Sequence, residues 1–313
     1  KMPALRRLSI ALSLFAIATG SASAQPPKAT LRSHGLVVTY PPGADAVALR
    51  ACDIADAARK DLDAKLGIVP PSDAALYLCA RTEFDRLAAG RLPHAIAFAD
   101  SRARLMVIDL NSLAGCSNND LAIVFKHELA HLALDAAVRP WTCPRWFQEG
   151  IAEWVSGRLR LDPGDQLRTA ASLDALLSLE SLSESFPVAS DALALAYLES
   201  EAFVGFLEQA FGPGALRRII AALRAKGDFD AAFISVAGQP VSELEARWQK
   251  TLKPRFPLLF LLVRSLTLFS AMALLAVLAF IVLLMRRHAR MKRWREEEAL
   301  EAAEDSEQEQ QGS

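Results

Sequence analysis

The sequence predicts an α+β fold: a small mixed sheet followed by a mostly helical domain, with one transmembrane helix toward the C-terminus. Three features carry that expectation. β-Like runs fall between residues 74 and 110, and long stretches of helical apolar spacing follow from 118 onward, the segregated order of an α+β chain. Hydrophobic residues make up 52% of the 313 and charged ones only 23%, rich enough to bury a core and against general disorder. Ser265 to Met285 runs without a charge, and at the helical rise it covers about 30 Å, one hydrocarbon thickness.

In chain order, Met2 to Ala24 places Arg6 and Arg7 ahead of an apolar stretch and ends on the small-x-small site Ala22-Ser23-Ala24. That is the pattern of a signal peptide over 1–24, with an uncleaved anchor as the rival. An exported domain is then expected over 25–255 and a membrane segment over 257–285, its core span 265–285. A tail over 286–313 completes the chain. The tail opens on RRHARMKRWR, six basic residues in ten, before turning acidic. Basic residues beside a span mark the cytoplasmic side, which leaves the exported domain periplasmic or extracellular. The leader and the Ala/Arg-rich composition place it at a bacterial inner membrane.

Within the exported domain, 43–67 has helical apolar spacing and stops at Gly67 ahead of Pro70-Pro71, a good helix end. AALYLCA (74–80) reads as a buried strand and TEFDRLAAG (82–90) as a short helix. AIAFAD (95–100) and RLMVIDL (104–110) read as two strands about a turn. A long helix follows, with capping residues at Asn118 to Asp120 and Pro140 past its end. Further helices are expected over 144–156, 190–211, 214–225 and 241–250, broken at Gly212-Pro213-Gly214.

Net charge is −1, too balanced for phosphate neutralisation, so no nucleic-acid partner is expected. Cys52, Cys79, Cys116 and Cys143 all fall in the exported part, and an even count in an oxidising compartment predicts two disulfides. Three pairings are open; Cys52 with Cys79 and Cys116 with Cys143 is the preferred one. None has C-x-x-C spacing, which argues against a thiolate zinc site. Oligomeric state is not legible.

The chemistry is concentrated in HELAHLALD, 127–135. With His127 at zero on a helical wheel, His131 falls at about 40°, Asp135 at about 80° and Glu128 at about 100°. All four share one arc of a helix that is otherwise apolar except for Lys126. Burying such groups without partners costs several kcal/mol, and a divalent cation satisfies them directly. Two imidazoles one turn apart reach one Zn²⁺, and Glu128 is offset to touch a metal-bound water. PRWFQEGIAEW, 144–154, offers Glu149 eighteen residues after His131, leaving a fourth tetrahedral position for water. Glu153, one turn on, is placed to fix the tautomer of a liganding histidine. The rival is a pair of hydrogen-bonded core histidines with surface glutamates.

HELAH followed at this distance by QEGIAEW resembles the gluzincin metallopeptidases of the thermolysin-like clan, and most closely the bacterial peptidase MA-like domains. The resemblance is strongest over 118–157 and extends across Leu36 to Leu252. It implies a zincin-like domain that hydrolyses peptide or protein substrates. His127, His131 and Glu149 would be zinc ligands, Glu128 the general base, and Glu153 a supporting residue behind His127; Asp135, from its place on the same helical arc, is expected to support the site as well. It also implies an edge strand over the cleft, a part assigned to RLMVIDL. Two departures stand out. Gln148 occupies the position of an asparagine, and the family's downstream histidine has no exported counterpart, since the only later one is His288. Tyr197 resembles a family tyrosine that donates its hydroxyl to the tetrahedral intermediate; packing in a helical core is the alternative. The aminopeptidase signature is absent, which favours an endopeptidase. Two rivals remain: a membrane-tethered, catalytically inactive zinc-binding scaffold, and a metal-free structural protein.

Overall fold

The computed structural model describes residues 28–33, 35–89, 95–113, 117–157 and 163–254, and beyond these 256, 260, 265, 270, 272–287 and 290. The expected leader over 1–24, Cys116, His288 and the tail past 290 lie outside the described residues. The described parts of Lys1–Arg160 and Ser178–Leu244 form one compact unit; those of Leu161–Leu177 and Glu245–Ser313 form another.

The first unit is α+β with a mixed five-stranded sheet. β1 (Ala29–Ser33), β2 (Leu36–Tyr40), β3 (Ala74–Cys79), β4 (Ala97–Asp100) and β5 (Leu105–Asp109) lie in the order β1-β2-β3-β5-β4. The two pairs involving β3 are parallel and the two outer pairs antiparallel. The parallel β2–β3 step needs a crossover, and α1 (Asp45–Leu66) provides it. Gly67 ends α1 in the left-handed conformation, its N–H donating to the Asp63 carbonyl, as the Gly-before-Pro-Pro signal predicts. β1 and β2 were not expected from the sequence.

α2 (Arg81–Leu87) covers one face of the sheet, and the four-residue α3 (Leu110–Leu113) follows β5. α4 (Asn118–Val138) packs with α1 on the other face, where Leu76, Met106, Ile108, Phe125 and Leu129 are buried together. Its start is fixed by a reciprocal capping box, Ser117 with Asp120, one residue earlier than the caps expected.

Three expectations are corrected here. RLMVIDL is not the edge: β5 is interior, and β4 is the edge strand flanking α4. The preferred disulfides are absent, because Cys52, Cys79 and Cys143 are free and buried. Side chains alternate across a strand, so Cys79 joins Phe84 and Val107 on the α2 face while Cys52 lies in the α1 core on the opposite face. Burial also pushes the Cys79 and Cys143 thiols up to about 12, so neither forms an appreciable thiolate near neutrality. Unreduced protein unfolded in urea is therefore expected to take up iodoacetamide at Cys52, Cys79 and Cys143, while native protein at pH 8 leaves them unlabelled. Mass spectrometry showing a crosslinked Cys52–Cys79 peptide pair would refute the assignment.

α5 (Arg145–Ser156), α7 (Ser190–Phe211), α8 (Ala215–Lys226) and α9 (Phe229–Ala237) complete the first unit. Trp146 and Phe147 pack edge-on against Phe229, and Trp146 against Phe203, seating α5 on α7 and α9. The nine-residue α9 was not expected; its signals are the Asp228 cap, which accepts from the Ala231 N–H, and Gly238 beyond its end. The second unit contains α6 (Pro163–Ser172), also not expected, and the greater part of α10 (Val241–Leu252). Among the described residues no helix is long and apolar enough to cross a membrane. Only part of 265–285 is described, and 272–287 within and just beyond it is helical.

Candidate active site

Among the described residues α4 is mostly buried, and the cleft beside its polar stripe is lined by α5 and by β4, an outer strand of the sheet. His127 and His131 lie on that stripe one turn apart, with ring centroids separated by 4.8 Å. Their Nε2 atoms approach to 3.1 Å. Glu149 reaches in from α5, its Oε2 lying 3.5 Å from His127 Nε2 and 3.4 Å from His131 Nε2. These three side chains form a cluster able to hold a metal ion, with ligand atoms all within 4.8 Å of one another.

The donor set fits a tetrahedral cation. Bonds of about 2.1 Å at the tetrahedral angle put neighbouring ligand atoms about 3.4 Å apart, and the observed edges are 3.1, 3.4 and 3.5 Å. Two imidazole nitrogens and a carboxylate oxygen converge there on one point, an arrangement that either a cation or shared protons must satisfy. The electrostatics of the bare site register this convergence. Burial opposes ionisation of Glu149, yet the two imidazoles outweigh it and hold its carboxyl far below the usual range. Burial lowers the basicity of His131, and the adjoining Glu149 carboxylate more than restores it.

The remaining predicted residues sit as follows. Glu128 is buried beside the cluster, and burial raises its carboxyl above the ordinary range against the opposing pull of His127 and His131. Glu153 is 3% exposed, with Oε1 3.4 Å from His127 Nδ1. That nitrogen is buried without a formed hydrogen bond, so Glu153 is the acceptor within reach of it. Tyr197, on α7, has its ring 6.5 Å from that of His127 and 5.1 Å from that of Phe186. Burial first, and the Glu149 carboxylate next, push its hydroxyl up to about 12, so it stays protonated and can donate. Gln148 also lines the cleft, and its amide donates to the Cys143 carbonyl at 2.7 Å, bracing the start of α5.

Asp135 does not join the cluster. The wheel puts it on the same arc, but it is eight residues past His127, about 12 Å along the helix axis. It instead pairs with Arg139 at 2.6 Å and lines a neighbouring depression of about 930 Å³ that contains none of the three convergent residues. The cleft that does contain them has a volume of about 440 Å³ and is lined by β4, α4, α5 and Tyr197. Two contributors were not singled out from the sequence. One is the β4 edge. The other is Arg145, whose spacing of four from Glu149 on α5 is a legible ion-pair signal.

A mixed sheet beside a buried HExxH helix, with a carboxylate supplied by the next helix, defines a peptidase-like domain. The chain belongs to the Peptidase MA superfamily, whose family model matches residues 92–254. The match begins ahead of β4 and runs past α10, so it takes in every residue of the cleft named above. No curated protein matches the chain.

Proposed function

We propose that this protein is a membrane-anchored zinc metallopeptidase that hydrolyses peptide bonds, acting as an endopeptidase. The observation that carries the reading is the near-equilateral triangle of His127 Nε2, His131 Nε2 and Glu149 Oε2, whose edges suit Zn²⁺ and whose open side faces the cleft. Bound there, the cation supplies Lewis acidity to a water and to the substrate carbonyl. Glu128 takes the proton of the attacking water and returns it to the leaving nitrogen. Tyr197 donates its hydroxyl to the oxygen that becomes negative, in place of the missing downstream histidine. Glu153 holds the His127 ring, keeping Nε2 unprotonated toward the cation. The free edge of β4 offers main-chain groups along which an extended substrate adds as a further strand.

Anchoring is supported by the helical stretch 272–287, where Met272, Leu275, Leu278, Phe280, Ile281 and Met285 are all exposed, on every side of the helix. Such a surface calls for an apolar surround. With the basic run that follows it, the C-terminus is cytoplasmic and the catalytic domain, 25–255, faces the periplasm or exterior. The second reading is an inactive zinc-binding scaffold on the same anchor. A structural zinc site normally closes with four protein ligands, whereas this cluster has three and a cleft, which favours the enzyme.

The test combines metal analysis with cleavage of a peptide library. About one zinc per chain is expected, together with cleavage that a chelator abolishes and added zinc restores. Zinc without cleavage of any peptide would leave the scaffold, and no zinc after gentle purification would remove both readings.

A further inference from the structure

Arg145 opens α5 and lines the cleft beside the convergent triad. Its Nε is buried, lies 3.4 Å from Glu149 Oε1 and forms no hydrogen bond. Its guanidinium carbon lies 5.2 Å from the centre of the Phe186 ring, and that ring also makes an edge contact with Tyr197. Among the described residues, no acceptor serves its terminal Nη1 and Nη2 nitrogens. A guanidinium carries five N–H donors in a fixed fork; here its Nε edge is buried against Glu149 while the side chain is 43% exposed, which leaves the terminal nitrogens to solvent or to a ligand entering the cleft. Glu184 also lines the cleft but is exposed and makes no ion pair with Arg145 among the described residues.

We infer that Arg145 anchors a substrate carboxylate in this cleft, so that the preferred substrates are peptides bearing an anionic group close to the scissile bond. This rests on the hydrolase reading above and names its substrate class. The fork geometry of guanidinium matches a carboxylate through two parallel hydrogen bonds. The contact with Phe186 restrains the guanidinium in advance, so less freedom is lost on binding. Arg145 adjoins Glu149 directly, and an extended chain advances about 3.4 Å per residue. The carboxylate therefore belongs one or two residues from the bond cleaved. Two sources share this chemistry, a C-terminal carboxylate and an Asp or Glu side chain.

Calorimetric titration separates these sources without requiring turnover. The probes are acetyl-trialanine with a free C-terminal carboxylate, its C-terminal amide, and the amide with its last alanine replaced by aspartate. Each is titrated into zinc-loaded full-length wild type, Arg145→Gln and Arg145→Lys, with zinc content measured for every sample. At least one carboxylate probe is expected to bind wild type about ten-fold or more tighter than the neutral amide, in line with a charge-assisted bidentate pair. That ratio should collapse to near one in Arg145→Gln and survive only in part in Arg145→Lys, which keeps the charge without the fork. Because a probe carboxylate can itself coordinate zinc, the ratios are compared only between samples of equal measured zinc content, which removes any effect of Arg145 on zinc affinity through Glu149. A preference confined to the terminal carboxylate indicates carboxypeptidase-like selection; one confined to aspartate indicates an endopeptidase with acidic preference. Equal affinities in wild type, or a ratio untouched by Arg145→Gln, overturn the inference. A carboxylate preference in a protein that cleaves none of a peptide library would instead sink the hydrolase reading and the substrate class with it, leaving Arg145 only as a carboxylate anchor.

Discussion

Replacing Glu128 by Gln is expected to lower kcat by about two to four orders of magnitude, the usual worth of a positioned general base, while the zinc content stays at the wild-type level. The substitution is nearly isosteric and the site is tightly enclosed, with Glu128 only 8% exposed, so packing changes little. What it removes is the capacity to accept a proton. Glu128 is not one of the three convergent side chains, so the cation has no reason to leave. The paired change, His131→Ala, should do the opposite in order: zinc is lost first and activity with it, because one of three ligands is gone. Metal analysis of both purified variants beside a peptide-cleavage assay separates the two roles. A Glu128→Gln enzyme that cleaves at the wild-type rate would remove Glu128 from the mechanism.

These outcomes bear on residues that were legible because their signal is local. His127, Glu128 and His131 lie within one helical turn and a fraction, where the 100° step alone fixes their common face. Glu149 was legible from chain spacing, since the α4–α5 turn is short and α5 begins at Arg145. What escaped depends on long-range geometry. The choice of β4 over β5 as the edge follows from the parallel pairing of β3 with β5, which periodicity cannot reveal. Cys52 and Cys79 looked pairable by count, but strand alternation puts them on opposite faces of the sheet, and that is visible only once α1 has been placed on one of those faces. Asp135 shows the complementary error: a wheel collapses the helix axis and counts as neighbours two residues about 12 Å apart along it. Arg145 was overlooked because its place in the cleft depends on Phe186, far along the chain, which sequence spacing does not bring to it.

The second large effect is expected at Gly150, which sits inside the QEGIAEW segment between Glu149 and the following core positions. A methyl group there would lie 2.5 Å from the Ser200 carbonyl oxygen, 2.8 Å from its carbon and 2.7 Å from Val204 Cγ2. Two of these atoms are backbone of α7, so no rotamer change relieves the clash and the helices must separate. Overpacking of this kind costs about 1–3 kcal/mol, and for a domain of this size each kcal/mol lowers Tm by about 2–4 °C. The functional loss should be larger than the stability loss suggests. α5 carries Glu149 and Glu153, while α7 carries Tyr197, and a misplacement of about 1 Å at a reacting centre costs about a hundred-fold in rate. Gly205, on α7, provides the control: its added methyl would meet only Trp154 Cδ1 at 3.9 Å, ordinary contact, and alanine is better than glycine in a helix by about 1 kcal/mol. Gly205→Ala is therefore expected to hold or raise Tm with zinc affinity unchanged, whereas Gly150→Ala lowers Tm, weakens zinc binding and depresses kcat together. Thermal melts and zinc titrations of the two variants decide the matter. If both alanine substitutions behave alike, the close crossing of α5 over α7 is not what Gly150 is there to permit, and the placement of Glu149 against the two imidazoles must be secured by the aromatic packing of Trp146 and Phe147 instead.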